Sequence, residues 1–341
     1  MKALIEKLTN VFSPSGFEDA IRDVIRKEIK GFADEIRVDA LGNLIAHKNP
    51  SAGAKGAKRV MVAAHMDEIG LMVTHVDENG FVRFSNVGGV FGRYAPSGRV
   101  RFTNGAAGVI NNELLSNFRE TPPLDKMFID VGATSQKDCP VKLGDVAAFE
   151  RPFLDLGKRV VAKSLDDRLG VAVLIETMRR LKSRSERVEG AAPNEVYFVF
   201  TAQEEVGTRG AGPAAYGIDP DVAIAVDVTP TGDTPMGRKM EVALGGGPAI
   251  KIKDQGMLAD PRVVSWMAKT AERSKIPYQR EVLIMGSTDA RAIQVTRAGI
   301  AAGGISIPAR YVHSPSEMVD MDDVENSVRL LAALLNSKVS L

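Results

Sequence analysis

Five short segments of the sequence combine a histidine or an acidic residue with the end of a predicted strand or the start of a predicted helix. They are His65-Met66-Asp67-Glu68, Asp166-Asp167, Glu204-Glu205, Asp227 and His313. Ligand sites in parallel α/β sheets gather beyond the carboxyl ends of the strands, and four of the five segments follow a predicted strand. The remaining one, Asp166-Asp167, opens a predicted helix, where the helix dipole favours an anion. We therefore expect these side chains to meet at one edge of a sheet.

The residue types in these segments suit a divalent metal. Imidazole nitrogens and carboxylate oxygens, without a thiolate, are donors for Zn²⁺, Co²⁺ or Mn²⁺. Two such ions about 3.5–4 Å apart need a bridging carboxylate and further ligands on each side. Each segment alone is more often structural, since an acidic pair that opens a helix is usually a cap. Their joint occurrence favours a metal site because the chain has only four histidines, and the other two, His47 and His75, lack such settings and are interpreted as surface or sheet residues.

Alternating strands and helices are predicted to position these segments. The predicted strands are Arg59 to Ala64, Glu195 to Thr201, Val222 to Val226 and Ile300 to Ile307. Two of the predicted helices are Leu169 to Leu181 and Asp322 to Leu335. A third predicted helix is capped at Asp260-Pro261 and ends before Pro277. Near the N-terminus, Ser15-Gly16-Phe17-Glu18 has the spacing of a helix capping box, and apolar residues recur at helical spacing from Phe17 to Ile29. A hairpin turn at Leu41-Gly42-Asn43 follows. The pattern predicts an α/β fold with a mainly parallel sheet flanked by helices.

The segment from about Gly70 to Glu150 has a different character. It contains short alternating strands, such as Leu71 to Val76 and Arg99 to Thr103, separated by Gly, Asn and Pro turns. This pattern is typical of a small β-rich, barrel-like domain. We therefore divide the chain into an α/β domain of residues 1–69 and 150–341, interrupted by an inserted β-rich domain of residues 70–149.

Composition excludes several classes of protein. Forty-four Lys and Arg against 43 Asp and Glu leave a formal charge of +1, so no global basic field would attract nucleic acid or an anionic membrane. The single cysteine, Cys139, excludes an intramolecular disulfide and a multi-cysteine metal site. Charged residues interrupt the first apolar positions, and no run approaches the roughly 20 apolar residues of a membrane span. We expect a cytoplasmic protein without nucleic-acid or membrane partners.

At the five segments the sequence resembles the TET-type metalloaminopeptidases, a tetrahedral family with two metal ions whose members are often named glutamyl or leucyl aminopeptidase and sometimes cellulase M. The matching motifs are His65-Met66-Asp67-Glu68-Ile69-Gly70, Leu165-Asp166-Asp167-Arg168-Leu169-Gly170, Gln203-Glu204-Glu205-Val206-Gly207, Asp227 and Tyr311-Val312-His313-Ser314-Pro315. They occur in the family's order and span most of the chain. The interrupted α/β layout also matches, which implies a zinc-peptidase-like catalytic domain.

The resemblance implies metal ligands and catalytic residues. Each subunit would bind two divalent ions, with Zn²⁺ or Co²⁺ favoured and Mn²⁺ as a further option. Asp166 would bridge the two ions. His65 and Asp227 would complete one site, and Glu205 and His313 the other. Glu204 would be the general base, and Asp67 would hydrogen-bond the far nitrogen of His65. Side chains of adjacent extended residues point in opposite directions, which agrees with different roles for Glu204 and Glu205. By similarity, the Asp166-Asp167 bond is expected to be cis.

The implied reaction is removal of single residues from the N-termini of short peptides. A water acidified by the metals would attack the carbonyl while Glu204 moves its proton to the leaving amine. Two loops, Gly245 to Pro248 and Gly286 to Ala290, are candidates for substrate contact, although their glycines are equally well explained as turns. The family usually has Gly at the position of Ser287.

The sequence leaves three other functions open. A carboxypeptidase or deacylase on the same metal core would need a cation for the substrate carboxylate, and Arg209, Arg280 or Arg310 could supply it. A glycosidase needs two acids about 5–9.5 Å apart across the sugar, a poor match to neighbouring Glu204 and Glu205. A non-catalytic scaffold shell would not need an intact base and ligand set.

We also expect a homo-oligomer that is built through the inserted domain. By resemblance it would be dimer-based and could be a tetrahedral dodecamer with enclosed active sites. The inserted segment carries apolar residues, among them Phe81, Phe84, Val90, Phe91 and Tyr94, that could form an interface or fill the core of the segment itself. The preferred N-terminal side chain and the subunit count do not follow from the sequence.

Overall fold

Helices and strands alternate along most of the chain, as the periodicity predicts. The computed structural model describes residues 1–51, 54–117, 119–185 and 192–341. Within these ranges the helices are α1 Lys2–Thr9, α2 Asp19–Ile29, α3 Leu165–Ser185, α4 Ala211–Ile218, α5 Pro261–Arg273, α6 Ala290–Gln294 and α7 Met321–Leu335. The strands are β1 Glu35–Val38, β2 Leu44–Lys48, β3 Arg59–His65, β4 Gly70–Val76, β5 Val82–Val87, β6 Arg99–Phe102, β7 Ala107–Asn112, β8 Met127–Asp130, β9 Val146–Phe149, β10 Leu154–Asp155, β11 Arg159–Ala162, β12 Glu195–Thr201, β13 Val222–Thr229, β14 Ala249–Lys253, β15 Gln279–Val282, β16 Ala301–Arg310 and β17 Glu317–Asp320.

The large sheet has a parallel centre, and its outer strands pair antiparallel except for β14 and β15, which are parallel. Its order is β1-β2-β12-β3-β13-β16-β17-β11-β10, with β14 beside β16 and β15 beside β14. Strands β12, β3, β13 and β16 run parallel to one another. Every residue of β13 is buried, as expected for a parallel strand that is covered on both faces. One face packs against α1, α2, α3, α5 and α7, and the other against α4 and α6. The predicted α/β fold class is confirmed.

A closed barrel interrupts this sheet between β3 and β10. The barrel order is β4-β5-β8-β7-β6-β9. It has a hydrophobic core of its own, in which Leu71, Val82, Phe102 and Ile129 are almost completely buried. Closure leaves no free strand edge within the barrel. The expected barrel-like insertion is therefore part of the observed fold.

The predicted capping box at Ser15 is wrong. Helix α2 begins at Asp19 after Glu18, and the side chain of Glu18 does not cap its first turn. The hydroxyl of Ser13, not that of Ser15, accepts from the N–H of Ile21 in that turn. The hydroxyl of Ser15 donates instead to Asp67, 52 residues away, and Phe17 is 42% exposed rather than part of the helix's buried face. A capping box would need the side chains of Ser15 and Glu18 for local hydrogen bonds. Both side chains bond to distant residues instead, Ser15 to Asp67 and Glu18 to Gln203.

Other elements follow the sequence more closely. The hairpin at Gly42 joins antiparallel β1 and β2, and Gly42 has a φ of 95°. The short strands β10, β14, β15 and β17 and the short helices α4 and α6 were not predicted, because they are too brief to show a period. Among the described residues, no helix is long and apolar enough to cross a membrane.

Candidate active site

His65 lies at the last position of β3, beside two buried carboxyl groups. Its Nε2 is 3.0 Å from Oδ1 of Asp166 and 3.9 Å from Oδ1 of Asp227. Asp227 reaches this point because β13 is the parallel neighbour of β3. The three side chains form one donor group whose ligand atoms lie within 4.8 Å of one another.

His313 and Glu205 form a second donor group with the same aspartate. Nε2 of His313 is 3.3 Å from Oδ2 of Asp166 and 3.3 Å from Oε2 of Glu205. These ligand atoms also lie within 4.8 Å of one another. Asp166 therefore points one oxygen at each histidine, as a carboxylate between two cations would.

The backbone around Asp166 is held in place from both sides. The Asp166-Asp167 peptide bond is cis, as expected. The N–H of Asp166 donates to Glu317 at 2.9 Å. Asp167 turns away from the two donor groups, and its carboxylate accepts from the N–H groups of His65 and Gly170. Asp167 thus ties the end of β3 to the first turn of α3.

Asp67 connects His65 to the loop that carries the two glutamates. One of its oxygens lies 3.3 Å from Nδ1 of His65. Its carboxylate also accepts from the N–H groups of Glu204 at 3.0 Å and Glu205 at 3.1 Å. Oε2 of Glu204 lies 4.0 Å from Nε2 of His65, so the Glu204 carboxylate borders the first donor group.

The charges at this site are unbalanced. Five carboxyl groups surround two imidazoles, namely Asp67, Asp166, Glu204, Glu205 and Asp227. Within the described ranges, no Lys or Arg forms an ion pair with any of these five. Burial raises the pKa of Glu204 well above its ordinary value, and the nearby Asp227 and Asp289 raise it further. Burial alone would lower the pKa of His313, but Glu205 and Asp166 raise it to about 12.

Divalent cations fit this arrangement. A buried excess of carboxylates is costly unless cations neutralise it, and here the carboxylates raise the affinity of both imidazoles for a proton. Bound cations would take the place of those protons. The donors are imidazole nitrogens and carboxylate oxygens, which suit Zn²⁺, Co²⁺ or Mn²⁺. Asp67 lies beside the far nitrogen of His65, and a carboxylate in that position is typical of metal-bound histidines.

The family model described as M42 glutamyl aminopeptidase matches residues 42–330. The chain belongs to this family. It is therefore a peptidase, and its family and relatives support aminopeptidase activity. The resemblance to TET aminopeptidases is confirmed, and membership of a metallopeptidase family implies divalent metals.

Relatives match the chain over nearly its whole length. A protein of Acetivibrio thermocellus named as a putative aminopeptidase is 49% identical, with 96% of each chain covered. An aminopeptidase structure from the archaeon Desulfurococcus kamchatkensis is 40% identical with a TM-score of 0.92, and covers 99% of this chain and 95% of its own. The Pyrococcus horikoshii TET1 peptidase, described as assembling into a tetrahedron or a large octahedral shell, is 34% identical with a TM-score of 0.86, and covers 97% of this chain and 98% of its own.

Sequence reasoning missed Glu317. This buried residue of the M42 chain accepts from the N–H groups of Asp166 at 2.9 Å and His313 at 2.8 Å. It therefore joins the backbones of two residues that contact each other through their side chains. Burial, with the charge of Asp166, raises the pKa of Glu317 well above its ordinary value. The only sequence signal was an acid four positions after His313.

The barrel also contributes to the site, which the sequence did not indicate in detail. A cavity of about 790 Å³ opens above the two donor groups, and Phe91, Arg93 and Tyr94 form one wall of it. The centre of the Phe91 ring lies 5.9 Å from the centre of the His313 ring. On the same loop, a Cβ added to Gly89 would lie 2.3 Å from Nδ1 of His313. The barrel loop after β5 thus packs directly against the second donor group.

Of the two loops expected near substrate, one lines the cavity. Gly286, Ser287 and Thr288 face it. Asp289 lies behind them, and burial raises its pKa to about 6. The loop from Gly245 to Pro248 does not line the cavity, and two of its N–H groups donate to Asp323 instead.

Proposed function

We propose that the chain is an aminopeptidase that uses two divalent metal ions to hydrolyse the N-terminal bond of short peptides. The observation that carries this proposal is the position of Asp166. Its two oxygens face different histidines, and each histidine has a further carboxylate beside it. One carboxylate shared by two histidine–carboxylate pairs is the donor set of a two-metal site.

Each ion would have its own set of ligands. His65 and Asp227 would hold one ion and Glu205 and His313 the other, with Asp166 between them. Zn²⁺ or Co²⁺ suits these donors best, and Mn²⁺ is the next choice. When bound, the ions supply Lewis-acid polarisation of a carbonyl and acidification of water.

Glu204 would be the general base. Its carboxylate borders the cavity and lies next to the first donor group. Glu204 would take a proton from the attacking water and return it to the leaving amine. A raised pKa favours that exchange because a catalytic base works best near the operating pH. Asp67 would hold both the ring of His65 and the backbone of the glutamate loop during the reaction.

The acidic floor of the cavity suits a free α-ammonium group at the substrate's N-terminus. The rival carboxypeptidase or deacylase requires a cation for a carboxylate instead. Of the three residues that the sequence suggests for this role, Arg209 and Arg280 do not line the cavity, and Arg310 lines it but binds Asp233 through two hydrogen bonds. Other cations, among them Arg93 and Arg291, also line the cavity, so the direction of cleavage has to be tested. A glycosidase would leave His65 and His313 without a function.

We further propose that residues 1–69 and 150–341 form the catalytic domain and that the inserted residues 70–149 form a domain that mediates oligomerisation. The tetrahedral or octahedral shells of the Pyrococcus horikoshii relative support a closed homo-oligomer. We place its short peptide substrates in the cytoplasm. Enclosed active sites would admit short peptides and exclude folded proteins.

The direction of cleavage and the metal requirement test the proposal together. The purified protein is incubated with short peptides, with the same peptides N-acetylated, and with a chelator followed by Zn²⁺, Co²⁺ or Mn²⁺. We expect release of single N-terminal residues from the free peptides, weak cleavage of the acetylated ones, and loss of activity that added metal reverses. Release from the C-terminus, or full activity in chelator, would refute it.

A further inference from the structure

The segment from Ser13 to Glu18, between α1 and α2, packs against the loop that follows β3. The N–H of Ser13 donates to Oε1 of Glu68 at 2.8 Å, and the N–H of Glu68 donates back to the carbonyl of Ser13 at 3.2 Å. The N–H of Ser15 donates to the carbonyl of Glu68 at 3.3 Å. These backbone contacts bring the polar side chains of the segment beneath the active site, and we call residues 13–18 the N-terminal clamp.

The first of these side chains reaches Asp67. The hydroxyl of Ser15 donates to Oδ2 of Asp67 at 2.5 Å, and Asp67 is completely buried. The same carboxylate accepts from the N–H groups of Glu204 and Glu205 and lies beside His65. Ser15 therefore fixes the rotation of the carboxylate on which the glutamate loop rests.

The second side chain supports the residue before Glu204. Oε1 of Glu18 accepts from the N–H of Gln203 at 3.0 Å and from the N–H of Gly16 at 2.7 Å. Gln203 has a φ of 58°, an unusual value for a non-glycine residue. Glu18 is 4% exposed, so water does not compete for these bonds.

Together, the clamp and Asp67 hold three consecutive N–H groups. That of Gln203 points to Glu18, and those of Glu204 and Glu205 point to the two oxygens of Asp67. Two carboxylates thus set the direction of the loop at Glu204. The carboxylate of Glu18 belongs to the clamp, and the clamp orients the carboxylate of Asp67 through Ser15.

We propose that Ser15 and Glu18 are positioning residues for Glu204. This inference rests on the proposed role of Glu204 as the base. Without the Ser15 hydroxyl, Asp67 loses a donor and can rotate. Without the Glu18 carboxylate, the strained turn at Gln203 loses its acceptor. Either change shifts the Glu204 carboxylate relative to the reacting water, and a displacement of about 1 Å is enough to lower turnover substantially.

Two pairs of variants test this role. Ser15→Ala removes the donor and Ser15→Thr retains it, while Glu18→Ala removes the acceptor and Glu18→Gln retains it. Kinetics are measured on the full chain with saturating metal, together with metal content and the thermal midpoint. Ser327→Ala is the matched control for a buried serine, since its hydroxyl bonds within α7. Glu28→Ala is the control for the loss of a glutamate near this segment, since Glu28 lies on α2 and pairs with Lys7 and Arg179.

We expect Ser15→Ala and Glu18→Ala to lower kcat about 10-fold to 100-fold, the value of a hydrogen bond to a charged group. KM should stay at the wild-type level, because the clamp acts on the base and not on substrate binding. Asp67 also contacts His65 and the backbone of Glu205, so the saturating metal is what should keep the metal content at the wild-type level. Ser15→Thr and Glu18→Gln should recover most of the lost kcat, and the two controls should match wild type. If Ser15→Ala does not fold, Glu18→Ala gives the same test at the other carboxylate.

Unchanged kcat in both alanine variants would overturn the inference. It would equally be overturned if kcat fell only in proportion to metal content, or if the retaining variants recovered nothing. A wild-type protein that releases no N-terminal residue would instead refute the proposed function. The two failures are therefore distinguishable.

Discussion

Gly89 gives a direct test of whether His313 is a metal ligand. A methyl group at this position would lie 2.3 Å from Nδ1 and 2.6 Å from Cε1 of His313. Comfortable contact between such atoms requires about 3.5 Å. The imidazole would therefore have to retreat by about 1 Å, and metal–ligand distances tolerate only about 0.2 Å. Gly89 does not adopt a positive φ, so the methyl group and not the backbone causes the conflict.

Gly89→Ala is expected to weaken one metal site and leave the other intact. His313 would withdraw from Glu205 and Asp166, whereas His65 and Asp227 are not among the atoms nearest to the added methyl, all three of which belong to His313. At a metal concentration that just fills both sites of the wild-type protein, we expect bound Co²⁺ or Zn²⁺ to fall from two ions to one per subunit. The value of kcat/KM should fall by about 100-fold, the usual cost of a 1 Å misplacement at a reacting centre.

The assay combines metal titration by calorimetry with peptide hydrolysis over a range of metal concentrations. Gly217→Ala is the matched control, because a methyl group there meets no atom within 4 Å, and it should behave as wild type. Two ions bound with wild-type affinity to Gly89→Ala, with kcat/KM unchanged, would refute the assignment of His313 as a ligand.

Three further predictions follow from the proposed site. Glu204→Gln should retain both ions yet lose about 10²–10⁴-fold in kcat, the usual scale for positioned proton transfer; loss of metal in this variant would show that Glu204 and Glu205 have exchanged roles. Metal analysis should show that Asp166→Ala loses both ions, whereas His65→Ala mainly weakens the binding of one. A fully active Asp166→Ala protein would contradict the role of Asp166 as the bridge. Light scattering at micromolar concentration with metal present should report a closed oligomer, and a fully active monomer would exclude enclosure.

Much of the fold was predictable because its signals are local. The buried parallel strands β3, β12 and β13 appear as short apolar runs, and each ends at or near an acid or a histidine. The turn-rich, strand-rich segment after Gly70 predicted a separate β-structure, and the structure closes its strands into a barrel. Periodicity and turn residues act over a few positions, so a single sequence is enough to detect them.

The surroundings of Ser15 show where local patterns fail. Ser15 and Glu18 have capping-box spacing, but their side chains bond to Asp67 and Gln203. A pattern of four residues cannot indicate whether its polar groups bond locally or to a distant loop. Glu317 was missed for a similar reason, since its partners lie 151 residues and four residues away.

The sequence by itself determined the chemistry of the donors and the elements that carry them. Two imidazoles, several carboxylates and one cysteine already favoured a metal site without thiolates. Tertiary structure decided which oxygen of Asp166 faces which histidine, and it placed Gly89 of the barrel against His313. Residue types and short-range periods are properties of the chain itself. Distances between distant side chains depend on strand order, and strand order is set only when the whole sheet packs.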